Sequence, residues 1–163
     1  MLLKPMTPEL MFESLMIATQ ARMGKDKAEK LAAKKAWLSK LVVNFGNDEG
    51  EEGSFSGTVV QALLLMNGQD INTAISAKDG AVAAIAAKRG ASLRSVPLAV
   101  QDLYMHALGR PATDREVKDF MNPKMYNYRN PNRTPPTTPQ FWTNYYQDIF
   151  WALLNSNEFI LNH

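Results

Sequence analysis

A wide apolar stripe near the C-terminal end limits the fold of this chain more than any other feature. Large apolar side chains recur there at every third or fourth position, as Trp142, Tyr145, Tyr146, Ile149, Phe150, Leu153 and Leu154. This spacing is that of an α-helix with one buried face. Pro139 stands where the first turn of such a helix begins, a position that tolerates the missing N–H. We therefore predict a long helix that other elements must cover.

Signals for further helices start near the N-terminus. Thr7 can cap a helix whose first turn contains Pro8, and Gly24 is expected to end it. Its buried stripe is predicted to consist of Phe12, Leu15, Met16 and Thr19. A second helix is predicted from Asp26. We expect its lysines Lys27, Lys30 and Lys34 to lie mostly outside and its apolar positions to face inward, namely Leu31, Leu38, Leu41, Val42 and Phe45.

The middle of the chain continues the same pattern. A buried helix is predicted from about Ser56 to Gly68, because Ala, Leu and Met dominate there, although so apolar a run also fits a strand. Residues 81–88 form an alanine-rich helix before Gly90. The next helix is expected to end at Gly109, and a Thr113-x-x-Glu116 capping box then opens a short one. The stripe before Gly109 consists of Val96, Val100, Leu103, Tyr104, Ala107 and Leu108.

Residues 122–140 are the exception to this helical pattern. They contain five prolines among several asparagines, which predicts an irregular segment on the surface, with Met125, Tyr126 and Tyr128 held against the domain. The fold class that follows is all-α. We predict an irregular multi-helix bundle with one long Pro/Asn-rich surface loop, formed by residues 1–163 as a single helical domain.

Composition excludes several kinds of site. The chain has no cysteine, so disulfides, zinc–thiolate sites, iron–sulfur clusters and thiol nucleophiles are ruled out. The net charge is only +2, and no segment has the dense basic character of a nucleic-acid surface. No run of apolar residues is long enough for a membrane span. The N-terminus also lacks the apolar region of a signal peptide, so the chain itself does not indicate a compartment.

One segment could hold a cation. Residues 46–53 are rich in glycine and place four carboxylates within five positions: Asp48, Glu49, Glu51 and Glu52. Carboxylate oxygens on a tight loop are ligands for Ca²⁺, but the spacing is not that of an EF-hand. The alternative is a solvated acidic loop facing the lysines of the second helix.

Arg110 is expected to have a structural role. It follows a helix-ending glycine and precedes a proline, and its guanidinium can form paired hydrogen bonds with a carboxylate such as Asp102 or Glu158, or with the chain terminus. Glu158 is correspondingly expected to hold the C-terminal tail. His106 and His163 have no partner that would make them acid–base or metal groups, and residues 54–57 lack the context of a nucleophilic serine. We predict neither catalysis nor a cofactor.

Two stretches also resemble a known family. The first is the acidic loop followed by residues 55–68, and the second is the Leu108–Glu116 turn together with the tail Asp148–His163. They resemble the C-terminal domain of large planctomycete proteins built from paired domains of unknown function, in which a cytochrome c-like module often precedes the pair. The resemblance implies a larger exported parent, a periplasmic or cell-surface location and no established activity. The chain lacks the haem module.

A looser similarity, to helical repeat modules of bacterial surface proteins and phycobilisome-linker-type domains, points to roles in assembly. The first functional hypothesis is therefore a non-catalytic interaction or structural module that packs against an upstream domain or another protein. The alternative is a small-molecule or carbohydrate-binding domain whose site is formed by Tyr126, Tyr128 and Tyr145. A further alternative is part of an enzyme completed by an upstream domain. The oligomeric state is left open.

Overall fold

The computed structural model describes residues 4–5, 8–20, 27–45, 69–126 and 138–162. In this part of the chain the fold is all-α, as predicted, and no helix there is both long and apolar enough to cross a membrane. A single 3₁₀ turn, Leu93–Ser95, precedes α5. The α-helices are α1 (Pro8–Thr19), α2 (Lys27–Phe45), α3 (Gln69–Ile75), α4 (Ala81–Arg89), α5 (Val96–Leu108), α6 (Asp114–Phe120), α7 (Pro123–Tyr126), α8 (Pro139–Leu154) and α9 (Asn157–Ile160).

The core is organised around the packing of α5 against α8, with α4 and α1 covering the sides of this pair. The stripe predicted on α8 is confirmed, because all seven of its side chains are buried. The facing side of α5 is buried as well, and Val96, Ala99, Val100 and Leu103 have no measurable exposure. Burial of this many large side chains is the main force that holds the helices together.

The predicted helix boundaries are confirmed where capping is local. Gly109 adopts a left-handed conformation (φ 68°) directly after α5, and its N–H donates to the carbonyl of Met105. Gly90 likewise ends α4 with a positive φ of 87°. The capping box is present, since the hydroxyl of Thr113 accepts from the N–H of Glu116, whose carboxylate accepts from the N–H of Thr113.

The first helix begins at Pro8 as predicted but ends earlier than expected. Its last residue is Thr19, and Gln20 follows with φ at 53°, so the helix stops before Gly24 is reached. The buried hydroxyl of Thr19 donates to the carbonyl of Leu15, which satisfies it within the helix.

The predicted inward face of α2 is wrong in part. Leu31 is 52% exposed, whereas Trp37 is buried and packs on Phe12 with ring centroids 5.3 Å apart. Leu31 lies about 120° around the helix from Trp37, so both cannot face α1. Lys34, expected outside, instead binds Glu13 of α1. The side chains of Leu41, Val42 and Phe45 are outside the described residues.

Several short elements were not predicted. Residues 123–126 form a helical turn inside the predicted loop, because Pro123 occupies the first position, where proline is compatible with a helix. Helices α3 and α9 are further additions. The two-residue strands β1 (Lys4–Pro5) and β2 (Leu161–Asn162) pair antiparallel, which places the two ends of the described chain side by side. Residues 127–137 and the helix predicted near 56–68 fall outside the described residues.

Candidate functional site

The most elaborate polar cluster surrounds Arg110, in the turn between α5 and α6. Its Nε and Nη2 donate to the two carboxylate oxygens of Glu158 at 2.5 and 2.7 Å. Nη2 and Nη1 also donate to the two carboxylate oxygens of Glu116, at 2.9 and 3.1 Å, and Nη1 donates to the carbonyl of Pro111 at 3.2 Å. A guanidinium has five N–H donors, and all five are used here. No donor remains for a substrate.

Glu116 serves two elements at once. The carboxylate that closes the capping box of α6 is the same one that accepts from Arg110. The hydrogen bonds from Arg110, followed by those from Thr113, lower the pKa of Glu116 from its ordinary value of 4.5 to about 2. The same contacts raise the pKa of Arg110. Both groups are therefore ionised at any physiological pH, and neither can exchange protons with a substrate.

Tyr104 forms the floor of the cluster. The guanidinium of Arg110 lies over its ring, 5.1 Å from the centroid, in a cation–π arrangement. Burial, and to a smaller extent the negative charge of Glu116, raises the pKa of Tyr104 to about 12. The phenol stays neutral, so the cluster joins the end of α5, the start of α6 and α9 without supplying an acid or a base.

A second ion pair joins α4 to α5. Arg89 donates from Nε and Nη2 to the carboxylate of Asp102 at 2.7 and 2.9 Å, and Nζ of Lys88 lies 3.5 Å from the same group. The hydrogen bonds from Arg89 lower the pKa of Asp102. Of the two carboxylates considered as partners for Arg110, Glu158 is therefore the one contacted, and Asp102 is occupied by Arg89.

The predicted cation loop stays a prediction. Asp48, Glu49, Glu51 and Glu52 lie outside the described residues, as do residues 54–57 and His163. Within the described ranges, no group of three or more His, Asp or Glu side chains is placed to hold a metal ion. His106 is half-buried on α5 beside a small cleft of about 160 Å³ that Lys88 and Asp102 also line.

The tyrosines considered as a sugar-binding surface are only partly described. Tyr145 is buried, and its hydroxyl donates to the carbonyl of Phe120 at 2.8 Å. Its ring meets Trp142 edge to face, 5.9 Å away, so it offers no free face to a ligand. The side chain of Tyr126 and the whole of Tyr128 are outside the described part of the chain.

A groove between α3 and α8 was not predicted. It has a volume of about 420 Å³ and is lined by Asn72, Ile75, Ser76, Gln147, Asp148 and Trp151. Trp151 is 37% exposed, although the rest of the aromatic residues on α8 pack inward or lie at its start. The sequence contains a signal for this site, because Trp151 lies off the apolar stripe of the helix, where a polar residue is expected.

Exposed apolar side chains mark another surface. On α1, Ile17 is 75% exposed and Leu10 is 39% exposed, and on α2 Leu31 is 52% exposed. Leu10 and Ile17 are two turns apart and therefore lie on one side of α1. No family model, curated protein or solved structure matches this chain.

Proposed function

We propose that this chain is a non-catalytic helical interaction or structural module of a larger exported or cell-surface protein. Its partner is an upstream domain of that protein or a separate protein. The surface that contacts the partner is the outer side of the α1–α2 pair, with Leu10, Ile17 and Leu31.

The exposure of Ile17 carries this proposal. At 75% it is the most exposed of the large apolar side chains in the described residues. Burying an isoleucine side chain stabilises a complex by about 1.5–3 kcal/mol, so contact between Ile17 and a partner protein is favourable. Single exposed apolar residues are common on protein surfaces. Ile17 therefore supports an interaction surface only together with the exposed Leu10 and Leu31.

Two contacts define how these neighbours are arranged. Phe12 packs on Trp37, and Glu13 binds Lys34, so later positions in α1 meet earlier positions in α2. The two helices are therefore antiparallel. Ile17 lies one turn beyond Glu13, and Leu31 lies one turn before Lys34, which places both on the same side of the ion pair. We therefore infer that Ile17 and Leu31 belong to one apolar surface.

The polar clusters support the non-catalytic part of the proposal. All the donors of Arg110 are used within the protein, and Asp102 is held by Arg89. Glu116 has a pKa of about 2 and Tyr104 one of about 12, which keeps both far from the range of useful proton transfer at neutral pH. These pairs stabilise the fold.

A site-specific photo-crosslinker tests the surface. Benzoylphenylalanine replaces Ile17 in one variant and Leu98, which is 53% exposed on α5, in a matched control. In the producing cells we expect a discrete adduct from position 17 and none from position 98. The cross-linked protein is then purified, and its Kd for the chain is measured by calorimetry.

The Kd should rise at least tenfold for Ile17→Glu, because burying an unpaired carboxylate is costly, and stay unchanged for Leu98→Glu. Equal cross-linking at both positions, or a Kd insensitive to Ile17→Glu, argues against this surface. The exported parent rests on the resemblance of residues 108–116 and 148–163 to the planctomycete domain. Reading the gene upstream of Met1 tests that part separately.

A further inference from the structure

We propose that the groove between α3 and α8 binds a single neutral sugar unit. The indole of Trp151 would provide the stacking surface, and the side-chain amides of Asn72 and Gln147 would bind the hydroxyl groups. Its lining does not include Leu10, Ile17 or Leu31, and the proposal does not depend on the partner surface proposed above.

The length of the groove decides between a sugar and a peptide. Among the described residues, one wall runs from Asn72 on α3 to Ser76 directly after it and the other from Gln147 to Trp151 on α8, so each is little more than one helical turn. Four residue steps of helix rise about 6 Å, whereas an extended peptide needs about 3.3 Å per residue. Between these described walls there is room for one pyranose ring but for only about two residues of an extended peptide. Its volume of about 420 Å³ is within the range of small-ligand sites, roughly 300–1,000 Å³.

The lining groups have the chemistry that a sugar requires. Trp151 is 37% exposed, and a flat indole face can pack against the C–H groups on one side of a pyranose. In the part of the chain that the structure describes, neither the amide of Asn72 nor that of Gln147 has a hydrogen-bond partner. An amide offers a donor and an acceptor together, which matches a hydroxyl that both donates and accepts.

Ser76 adds an acceptor to this set. Its hydroxyl donates to the carbonyl of Asn72 at 2.7 Å, which leaves the oxygen lone pairs to accept from a ligand. Three polar side chains therefore line the same groove as the indole of Trp151.

Charge selects a neutral ligand. Among the described residues that line the groove there is no lysine or arginine, and Asp148 is the one charged group. Phosphorylated, sulfated and acidic sugars would find no cationic side chain among these residues to pair with. The expected ligand is therefore a neutral hexose or N-acetylhexosamine unit, free or as part of a longer glycan.

The test is an NMR titration of the full chain with cellobiose, maltose, lactose and diacetylchitobiose. The protein has 3 tryptophans, and each contributes one indole N–H signal. Trp37 and Trp142 are buried, so their signals act as internal controls. We expect at least one of these sugars to shift the Trp151 indole and the side-chain amides of Asn72 and Gln147, with a Kd on the order of 1 mM.

Variants separate stacking from loss of structure. Trp151→Ala should weaken binding at least tenfold, whereas Trp151→Phe, which keeps an aromatic face, should change the Kd by less than about threefold. Leu98→Ala is the matched control on α5 and should bind the sugar with the same Kd as the unmodified protein. The backbone NMR spectrum of each variant should otherwise resemble that of the unmodified protein, because the side chains of Trp151 and Leu98 are both partly exposed.

Three results would overturn the proposal. One is the absence of any Trp151 shift at sugar concentrations tenfold above the expected Kd. Another is equal binding by Trp151→Ala. The third is tighter binding of glucuronate, or of a short peptide, than of every neutral sugar, which would assign the groove to a different ligand class.

Discussion

The hydroxyl of Tyr146, in the middle of α8, donates a hydrogen bond to the carbonyl oxygen of Gly90, 3.1 Å away and 56 positions earlier in the chain. The ring of Tyr146 has no measurable exposure, and burial raises the pKa of its phenol. This residue in the middle of α8 therefore also satisfies the end of α4. The bond joins the core to the turn that precedes α5.

Removing this hydroxyl isolates the hydrogen bond from the packing. Tyr146→Phe should lower the free energy of unfolding by about 1 kcal/mol, because the carbonyl of Gly90 then lacks this partner. Tyr146→Ala should cost about 3–5 kcal/mol through the cavity it leaves. Urea denaturation measures both. Equal losses for the two variants would show that the hydroxyl, not the ring, dominates.

The Arg110–Glu158 pair should be energetically coupled. In a double-mutant cycle of Arg110→Ala and Glu158→Ala, we expect a coupling of about 1 kcal/mol, at the upper end for partly exposed pairs because the contact is bidentate. Replacing Glu158 together with Arg89, which lies in the other ion pair, provides the control and should be additive. A coupling near zero for the first pair would mean that Arg110 does not hold α9.

The stability of the protein should fall in acid because of Glu116. Its folded-state pKa of about 2 is below the ordinary value of 4.5, so its contribution is present above about pH 4.5 and is lost as the pH falls towards 2. Glu116→Gln should make the free energy of unfolding less dependent on pH across this window. Asp102, whose pKa is also lowered, leaves a remaining slope of the same sign.

Asp114→Asn is the matched control for this measurement, because Asp114 is an exposed carboxylate in the same first turn of α6. Asp114→Asn should leave the pH dependence of the free energy of unfolding nearly as steep as in the unmodified protein. If Glu116→Gln and Asp114→Asn flatten the profile equally, the effect does not come from the contact with Arg110.

The two glycines with positive φ should differ in their tolerance of a side chain. At Gly109 the conformation is left-handed (φ 68°) and a Cβ meets nothing within 4 Å, so Gly109→Ala should cost about 1 kcal/mol of backbone strain. At Gly90 φ and ψ are 87° and 154°, a region nearly restricted to glycine, and a Cβ would lie 3.2 Å from Oγ of Ser95.

Gly90→Ala should therefore cost more, about 2–3 kcal/mol. Gly109→Asn, which tolerates a left-handed conformation, should cost less than Gly109→Ala. Thermal denaturation of the three variants establishes the order. A larger loss at position 109 than at position 90 would contradict the assigned conformations.

Helix α2 offers a test of which face is buried. Trp37→Ala should lower the free energy of unfolding by about 3 kcal/mol, because it removes the contact with Phe12. Leu31→Glu should change it by less than about 0.5 kcal/mol, as expected for an exposed position. A large loss from Leu31→Glu would support the face predicted from the sequence. A small one leaves the variant available for measurements of partner binding.

The elements that were predictable depend on neighbours within one or two helical turns. The stripe on α8 repeats every three or four residues, and the Thr113–Glu116 capping box closes over three positions. Such patterns need no knowledge of the rest of the fold. Turns that a single residue permits, as at Gly109 after α5, were equally visible.

The features that were predicted wrongly or not at all depend on contacts between residues that are far apart in the sequence. Leu31 and Trp37 are both apolar residues on α2, and only the position of Phe12 on another helix decides which of them is buried. The two-residue strands have no alternating pattern to detect, since each is too short. The helical turn at Pro123–Tyr126 was not predicted, because the many prolines of residues 122–140 indicated an irregular segment.

Arg110 shows most clearly what the sequence indicates and what only the tertiary structure decides. Its place after a helix-ending glycine and before a proline already indicated a structural role and a carboxylate partner. Whether that partner was Asp102, 8 positions away, or Glu158, 48 positions away, depended on how α9 folds back against the end of α5. Local periodicity and capping specify helices because their interactions close within a few residues. Partners, burial faces and the groove beside Trp151 arise only when distant helices pack, since packing alone sets which side chains meet.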